Sequence, residues 1–303
     1  YTKFELNFID QPDMVSYLNA EMSAEEFLIK LKMIMPEDCK VHETVVFFDE
    51  IQKCPEIVTK IKFLVDEGSF KYVMSGSLLG VELKGIASAP VGYLTVLRMY
   101  PMDFEEFMVA NNVSTTTLDM LEDKFKTVSP IEEFIHQKLL AMFFVYLIVG
   151  GMPDAVKTYI ETKDIREVDR VQRDITTLYK EDFSQYELED RKLKLKSIYD
   201  IIPAELNKQN KKFVFTMLNK ELKFERYENS FLWLKDAGVA LPVYNVDAPV
   251  IPLLASKSSN VFRLFSSDIG LLTSAYPAET KIELINKNGE VNNGAHFENA
   301  VAQ

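Results

Sequence analysis

Six consecutive residues constrain this chain more than any others: Val45-Val46-Phe47-Phe48-Asp49-Glu50. Four large apolar residues in a row, two of them β-branched, predict a strand buried on both faces. Such strands are typical of a parallel sheet covered by helices. Two carboxylates stand where that strand should end. Open α/β sheets bind ligands outside the carboxyl ends of their strands, so Asp49 and Glu50 lie where a ligand would sit. Two adjacent buried charges are costly unless something cationic meets them.

A magnesium ion carried by nucleotide phosphates would meet them. The hexapeptide has the form of a Walker B motif, in which the Asp holds magnesium through a water and the Glu polarises the attacking water. The plainer alternative is a buried strand ending in a solvated acidic turn. On six residues alone both stay open.

At 303 residues, two or three domains are expected. An apolar content of 47% with 26% charged residues is ordinary for a globular protein. The net charge of −12 argues against a surface built wholly to grip nucleic acid, and leaves room for a local basic patch. Cys39 and Cys54 flank the buried strand and imply no disulfide framework, which suits a reducing cytoplasm. His42, His136 and His296 are scattered without metal-ligand spacing, so no zinc site is expected. The longest apolar run, 139–149, falls short of the roughly 20 residues of a spanning helix and reads as a buried one, with no membrane partner. The chain starts at Tyr1 directly as a strand and breaks off within a helical pattern, as a fragment of a longer protein would.

Phe4, Leu6 and Phe8 alternate with polar residues as in a half-buried strand. Ser23 and Glu26 form a capping box for a helix with Phe27, Leu28, Leu31 and Ile34 inward, ended by Pro36. After the central strand, Pro55 opens a helix through Ile57, Ile61 and Leu64, and Gly68 stops it. Phe70-Lys71-Tyr72-Val73-Met74 reads as the next strand and Ser75-Gly76-Ser77 as its end. Strands alternating with helices predict βαβ crossovers and a parallel sheet, which brings Ser75 and Ser77 to the edge that carries Asp49 and Glu50. Hydroxyls there could meet a γ-phosphate or the attacking water; a simple Gly-Ser turn is the equal alternative.

Residues 95–99 read as a last strand, and Asp103 with Glu106 caps a short helix. Residues 111–127 are polar and Thr-rich, a boundary or surface excursion. Ser129-Pro130-Ile131-Glu132 reads as a capping box opening a helix to Gly150-Gly151, followed by helical patterns over 155–160 and 165–179. Three further helices, 193–202, 213–218 and 227–237, precede a hairpin of 239–245 and 250–254, the plan of a winged helix. Residues 191–235 hold 11 Lys/Arg and 5 Asp/Glu, a net +6 that leaves −18 for the rest. The basic residues Lys192, Lys194, Lys196, Lys208, Lys211 and Lys212 lie on the first two helices. The third helix, where a groove reader would concentrate its base contacts, has aromatics at core spacing instead. The expectation is a segment that docks within the chain or on a second copy in a homo-oligomer, with weak, nonspecific nucleic acid binding.

Several stretches in order resemble one group of proteins: 45–52, Ser75-Gly76-Ser77-Leu78-Leu79-Gly80, and Tyr100-Pro101-Met102-Asp103-Phe104-Glu105-Glu106-Phe107. Further on come Gly150-Gly151-Met152-Pro153, Phe213 after paired lysines, Trp233-Leu234-Lys235-Asp236-Ala237-Gly238 and Asp268-Ile269-Gly270-Leu271-Leu272. Together they look like prokaryotic ATP-binding proteins in which an AAA-type ATPase domain precedes a domain of unknown function. The resemblance implies a P-loop NTPase-like α/β core over 1–110, a helical region over 111–190, a winged helix over 191–255 and the start of a nuclease-like unit over 256–303. It implies ATP and magnesium, with Asp49 on the metal, Glu50 as catalytic base, and Ser77 and Ser75 near the γ-phosphate. Hydrolysis would then act as a switch on the second half. No Gly-Lys dipeptide occurs in the chain, so the P-loop is missing and is expected just upstream. Two other readings compete: a nucleic-acid-binding regulatory or defence module with a passive α/β scaffold, and an α/β domain that binds no nucleotide.

Overall fold

The computed structural model describes all residues except 19–21, 77–91, 186–188, 209–212, 214–227 and 287–293. It divides into two compact units, Tyr1–Arg98 and Met99–Gln303.

In the first unit β1 (Thr2–Asn7), β2 (Thr44–Asp49) and β3 (Lys71–Met74) form a parallel sheet in the order β1-β2-β3. Helices α1 (Pro12–Leu18) and α2 (Ala24–Ile34) link β1 to β2, and α3 (Glu56–Glu67) links β2 to β3. Ser23 and Glu26 form the expected reciprocal capping box on α2. Gly68 closes α3 in the left-handed region at φ 81°. Phe4, Leu6 and Phe8 share one core with Val46, Phe48, the inner faces of α2 and α3, and Leu18 of α1.

The central strand departs from the expectation of burial on both faces. Val46 and Phe48 are fully buried, whereas Val45 and Phe47 are only half-buried and Val73, beside Phe47 in the register, is exposed. The core lies on the Val46–Phe48 face, so an unbroken apolar run does not by itself require two covered faces. Residues 95–99 form no strand; Val96, Leu97 and Met99 are exposed, and among the described residues no strand pairs with them.

The second unit is mainly helical: α4 (Phe104–Ala110), α5 (Thr115–Lys126), α6 (Glu133–Val149), α7 (Pro153–Thr162), α8 (Ile165–Gln185) and α9 (Glu189–Leu206). Asp103 and Glu106 cap α4 reciprocally. The polar stretch 111–127 is a helix rather than an excursion: Ser114 caps α5, Lys124 and Lys126 complement its C-terminal dipole, and it buries no residue. Ser129 does not cap α6, which begins at Glu133 without a side-chain cap. After α10 (Glu228–Asp236), β4 (Ala240–Val246) pairs antiparallel with β5 (Lys257–Ser266). The second hairpin strand is therefore 257–266 and not 250–254, where Pro252 cannot donate to a ladder and an exposed loop forms. Helices α11 (Ile269–Ser274), α12 (Ala278–Asn286) and α13 (Gly294–Ala302) complete the unit. The middle helix expected over 213–218 lies outside the described residues apart from Phe213, which stacks on Phe262.

One junction ties this unit together. Asp268 is completely buried, caps α11 by accepting from Leu271 N at 2.8 Å, and accepts from Gly151 N at 2.6 Å. Burial pushes its carboxyl up to about 6, opposed by the amides of Gly151, Leu271, Gly270 and Met152. Thr273 Oγ1 donates to Leu147 O at 2.6 Å, and Gln172 Nε2 to Ile148 O and Val149 O, so the end of α6 is held from two sides. The glycines are required by space. A Cβ on Gly150, itself at φ 71°, would stand 2.4 Å from Asp268 Oδ1, and one on Gly151 would stand 1.9 Å from Met102 O.

Gly151→Ala should therefore lower the unfolding free energy by about 3 kcal/mol or more. Gly238→Ala, at positive φ but with nothing within 4 Å, should cost only about 1 kcal/mol. Equal urea midpoints for the two variants would refute the packing argument. His296 supplies a pH test. It is buried, neither ring nitrogen has a hydrogen-bond partner among the described residues, and burial lowers its pKa from 6.5 to about 4. Between those values the unfolded chain binds the proton and the folded one does not. Stability is thus lost as pH falls from 6.5 towards 4, by about 3 kcal/mol at most. Asp268, shifted upward, favours the folded state over part of the same acid range and masks part of this loss. His296→Phe should be near neutral at pH 7.5 and gain stability over the natural chain below pH 6; parallel stability–pH curves would show that His296 does not titrate differently on folding.

Candidate functional site

Because β1, β2 and β3 run parallel, their carboxyl ends share one edge, and the register sets Asn7 beside Asp49. Asn7 Nδ2 donates to Asp49 Oδ2 at 2.8 Å, and Ser75 Oγ donates to Asp49 Oδ1. Asn7 Oδ1 accepts from Ile9 N at 2.9 Å and Asp10 N at 3.0 Å, which fixes the side chain that holds the aspartate. Ser75 is fixed by its backbone: its N–H donates to Phe48 O and its carbonyl accepts from Ile51 N.

Past Asp49 the chain turns sharply. Glu50 sits in the left-handed region at φ 57°, which a residue with a Cβ adopts at a cost of about 1–2 kcal/mol. Its N–H donates to Asp49 Oδ1 at 3.2 Å, and its carboxylate accepts from Gln52 Nε2 at 2.5 Å. The Asp49 and Ser75 side chains thus meet, Glu50 follows with its carboxylate on Gln52, and Ser77 lies outside the described residues. Asn7 and Gln52 were not singled out from sequence. The signal for Asn7 was available: it ends the alternating strand Phe4-Glu5-Leu6, and parallel pairing places such a residue at the ligand edge.

The arrangement fits magnesium of the kind brought by phosphates. Among the described residues no three His, Cys, Asp or Glu side chains could cage a metal, and magnesium usually takes one or two carboxylates with waters and phosphate oxygens. Asp49 accepts three hydrogen bonds of the roughly four a carboxylate can take, which leaves room for one metal-bound water.

Residues 2–108 match the AAA domain family, and residues 141–282 match a domain of unknown function (DUF8612). No curated protein matches the chain. Among solved structures, the Walker-type ATPase PABY2304 of Pyrococcus abyssi aligns with a TM-score of 0.49 and 12% identity, over 90% of this chain and 84% of that one. The first unit is a parallel α/β domain similar, over residues 2–108, to the AAA domain family, and a mainly helical region follows.

In the second unit α10 turns Ser230, Phe231, Trp233 and Leu234 inward, so Ser230 offers no surface for reading bases. Lys211 and Lys212 lie outside the described residues, and Lys208 pairs with Glu205. No helix among the described residues is long and apolar enough to cross a membrane.

Asn7→Ala removes one donor to Asp49 and the acceptor for two backbone amides, and should cost about 1–2 kcal/mol in urea denaturation. Asn7→Asp, which sets a second carboxylate against that of Asp49, should cost more at pH 7. An aspartate variant as stable as the natural chain at pH 7 would show that the Asn7–Asp49 contact is not maintained in solution.

Proposed function

We propose that this protein hydrolyses ATP with magnesium at the carboxyl edge of the parallel sheet, and that hydrolysis switches the second unit, whose α9, α10 and β4–β5 hairpin form a winged helix. The observation that supports the chemistry most is the convergence of Asn7, Asp49 and Ser75, within the segment matching the AAA domain family. Asp49 would hold one metal-bound water, kept in orientation by Asn7 and Ser75. When bound, magnesium supplies neutralisation of charge on the phosphates. Glu50 would leave Gln52 to polarise the attacking water and accept its proton. Gln52 holds the Glu50 carboxylate while Asn7 and Ser75 hold that of Asp49, so each acid has its own partners. Ser75 is committed to Asp49 and serves as an orienting group; contact with the γ-phosphate is assigned to Ser77.

The reading requires a phosphate loop, since most phosphate contacts of such sites come from a backbone nest and its Lys. β3 is an edge strand among the described residues, and a strand added there would deliver its loop beside Ser75. Without a Gly-Lys phosphate loop among them, these 303 residues should accordingly bind ATP–magnesium weakly.

In a protein that holds such a phosphate loop, Glu50→Gln should retain nucleotide binding and lose about 10²-fold or more in turnover. Asp49→Asn should weaken the magnesium dependence of binding, and chelation with EDTA should bring the natural protein to the same level. ATP hydrolysis at the natural rate by both variants would overturn the assignment of the two acids.

A further inference from the structure

A cavity of about 330 Å³ opens between α8, α9 and α11, wholly inside the second unit and the segment 141–282. That volume is at the small end of ligand sites, which combine an apolar bed with a few placed polar groups. Its bed is Ile202, Leu271, Leu272 and Ala275. Its α8 wall presents Arg173, Thr176, Thr177 and Lys180, which at this spacing share one face of the helix. Thr177 Oγ1 donates to Arg173 O at 2.9 Å and Ser274 Oγ to Leu271 O at 2.8 Å. Those two hydroxyl protons are spent on their own helices, so the cations are the stronger donors of the wall.

The charges do not balance at one end. Lys180 is matched by Asp200 at 2.5 Å. At the other end a single carboxylate, Asp169, meets two cations: Arg173 at 2.6 Å and the buried Lys281. Lys281 is only 7% exposed and cannot turn to water, whereas the Arg173 side chain is 67% exposed. Asp169 therefore belongs first to Lys281. Arg173 can exchange it for another anion, and its guanidinium suits the planar or forked oxygens of carboxylate and phosphate.

We propose that this cavity binds a small organic anion, a compact apolar body carrying one carboxylate or phosphate. Arg173 pairs with the anionic group, and Leu271, Leu272 and Ala275 bed the body. The site is independent of nucleotide hydrolysis and stands whether or not the first unit binds ATP.

Benzoate and phenyl phosphate are suitable probes, with benzyl alcohol and inorganic phosphate as controls, on the full chain observed through its Ala, Leu and Thr methyl resonances. At least one probe should shift the methyls of Thr176, Leu271, Leu272 and Ala275 saturably, with a Kd of about 1 mM or tighter. Which probe binds more tightly distinguishes a carboxylate from a phosphate ligand. Arg173→Gln leaves Asp169 with Lys281, so the fold should persist while the Kd rises about tenfold. Ala275→Leu, at an exposed position, should block the cavity. No saturable shift with either probe, an unchanged Kd in Arg173→Gln, or equal affinity for benzyl alcohol would overturn the proposal. Inorganic phosphate binding as tightly as phenyl phosphate without methyl shifts would also overturn it, as a surface anion site only.

Discussion

Each unit is organised around one aspartate at the end of a strand, and the source of its donors decides what it can do. A carboxylate withdrawn from water must be given hydrogen bonds, or it will take up a proton instead. Asp268, after β5, is buried completely and receives backbone amides from two segments more than a hundred residues apart in sequence. Amides fixed by the chain path cannot move aside, so this acid is a joint. Asp49, after β2, is only half-buried and receives two side-chain donors, Asn7 and Ser75, with one amide from the next residue. Side-chain donors orient a carboxylate without saturating it, the condition a metal-directed acid needs.

The joint also dictates its own sequence surroundings. For Gly151 N to reach Asp268 the end of α6 must lie against the start of α11, and Met102 must lie against Gly151, whose carbonyl accepts from Met102 N at 2.8 Å. Tyr146 Oη donates to Met102 O, and Gln303 bridges Met102 O, Tyr146 Oη and Ile269 N. Three stretches that the family resemblance treats as separate landmarks, around Met102, Gly150 and Asp268, are thus one structural feature. Their residue types follow from contact distance, without any catalytic demand.

Much of the first unit could be read from sequence because its signals are local. Alternation in Phe4-Glu5-Leu6, the Ser23–Glu26 box and Gly68 each act within a few residues, and all three appear as expected. The misreadings share another cause. Val45–Phe48 looked buried on both faces because composition cannot say which face has a partner layer, and 95–99 looked like a strand because strand formation depends on a neighbour. The α5 helix was hidden by its Thr-rich, polar composition, although Leu118, Leu121 and Phe125 stand at helical spacing; the helix buries none of them. The candidate site was half legible. Asp49, Glu50 and Ser75 stand at strand ends and were found there, whereas Gln52 reaches Glu50 through a turn that depends on a left-handed glutamate. Nothing in the residue types around Glu50 announces that conformation.

Parallel pairing carries the site argument one step further. In such a sheet every strand delivers its following loop to the same edge, so the lateral order of strands becomes the lateral order of functional groups. Here that order runs Asn7, Asp49, Ser75. Asn7 occupies one side of the Asp49 carboxylate and Ser75 the other, and β3 is the edge strand on the Ser75 side. A phosphate-bearing loop approaching from the Asn7 side would have to displace the Asn7 side chain, which is tied to Ile9 N and Asp10 N. Among the described residues, approach beside β3 meets the small hydroxyl of Ser75. On the proposed reading, the direction from which phosphates would approach Asp49 follows from the bulk and anchoring of its two partners.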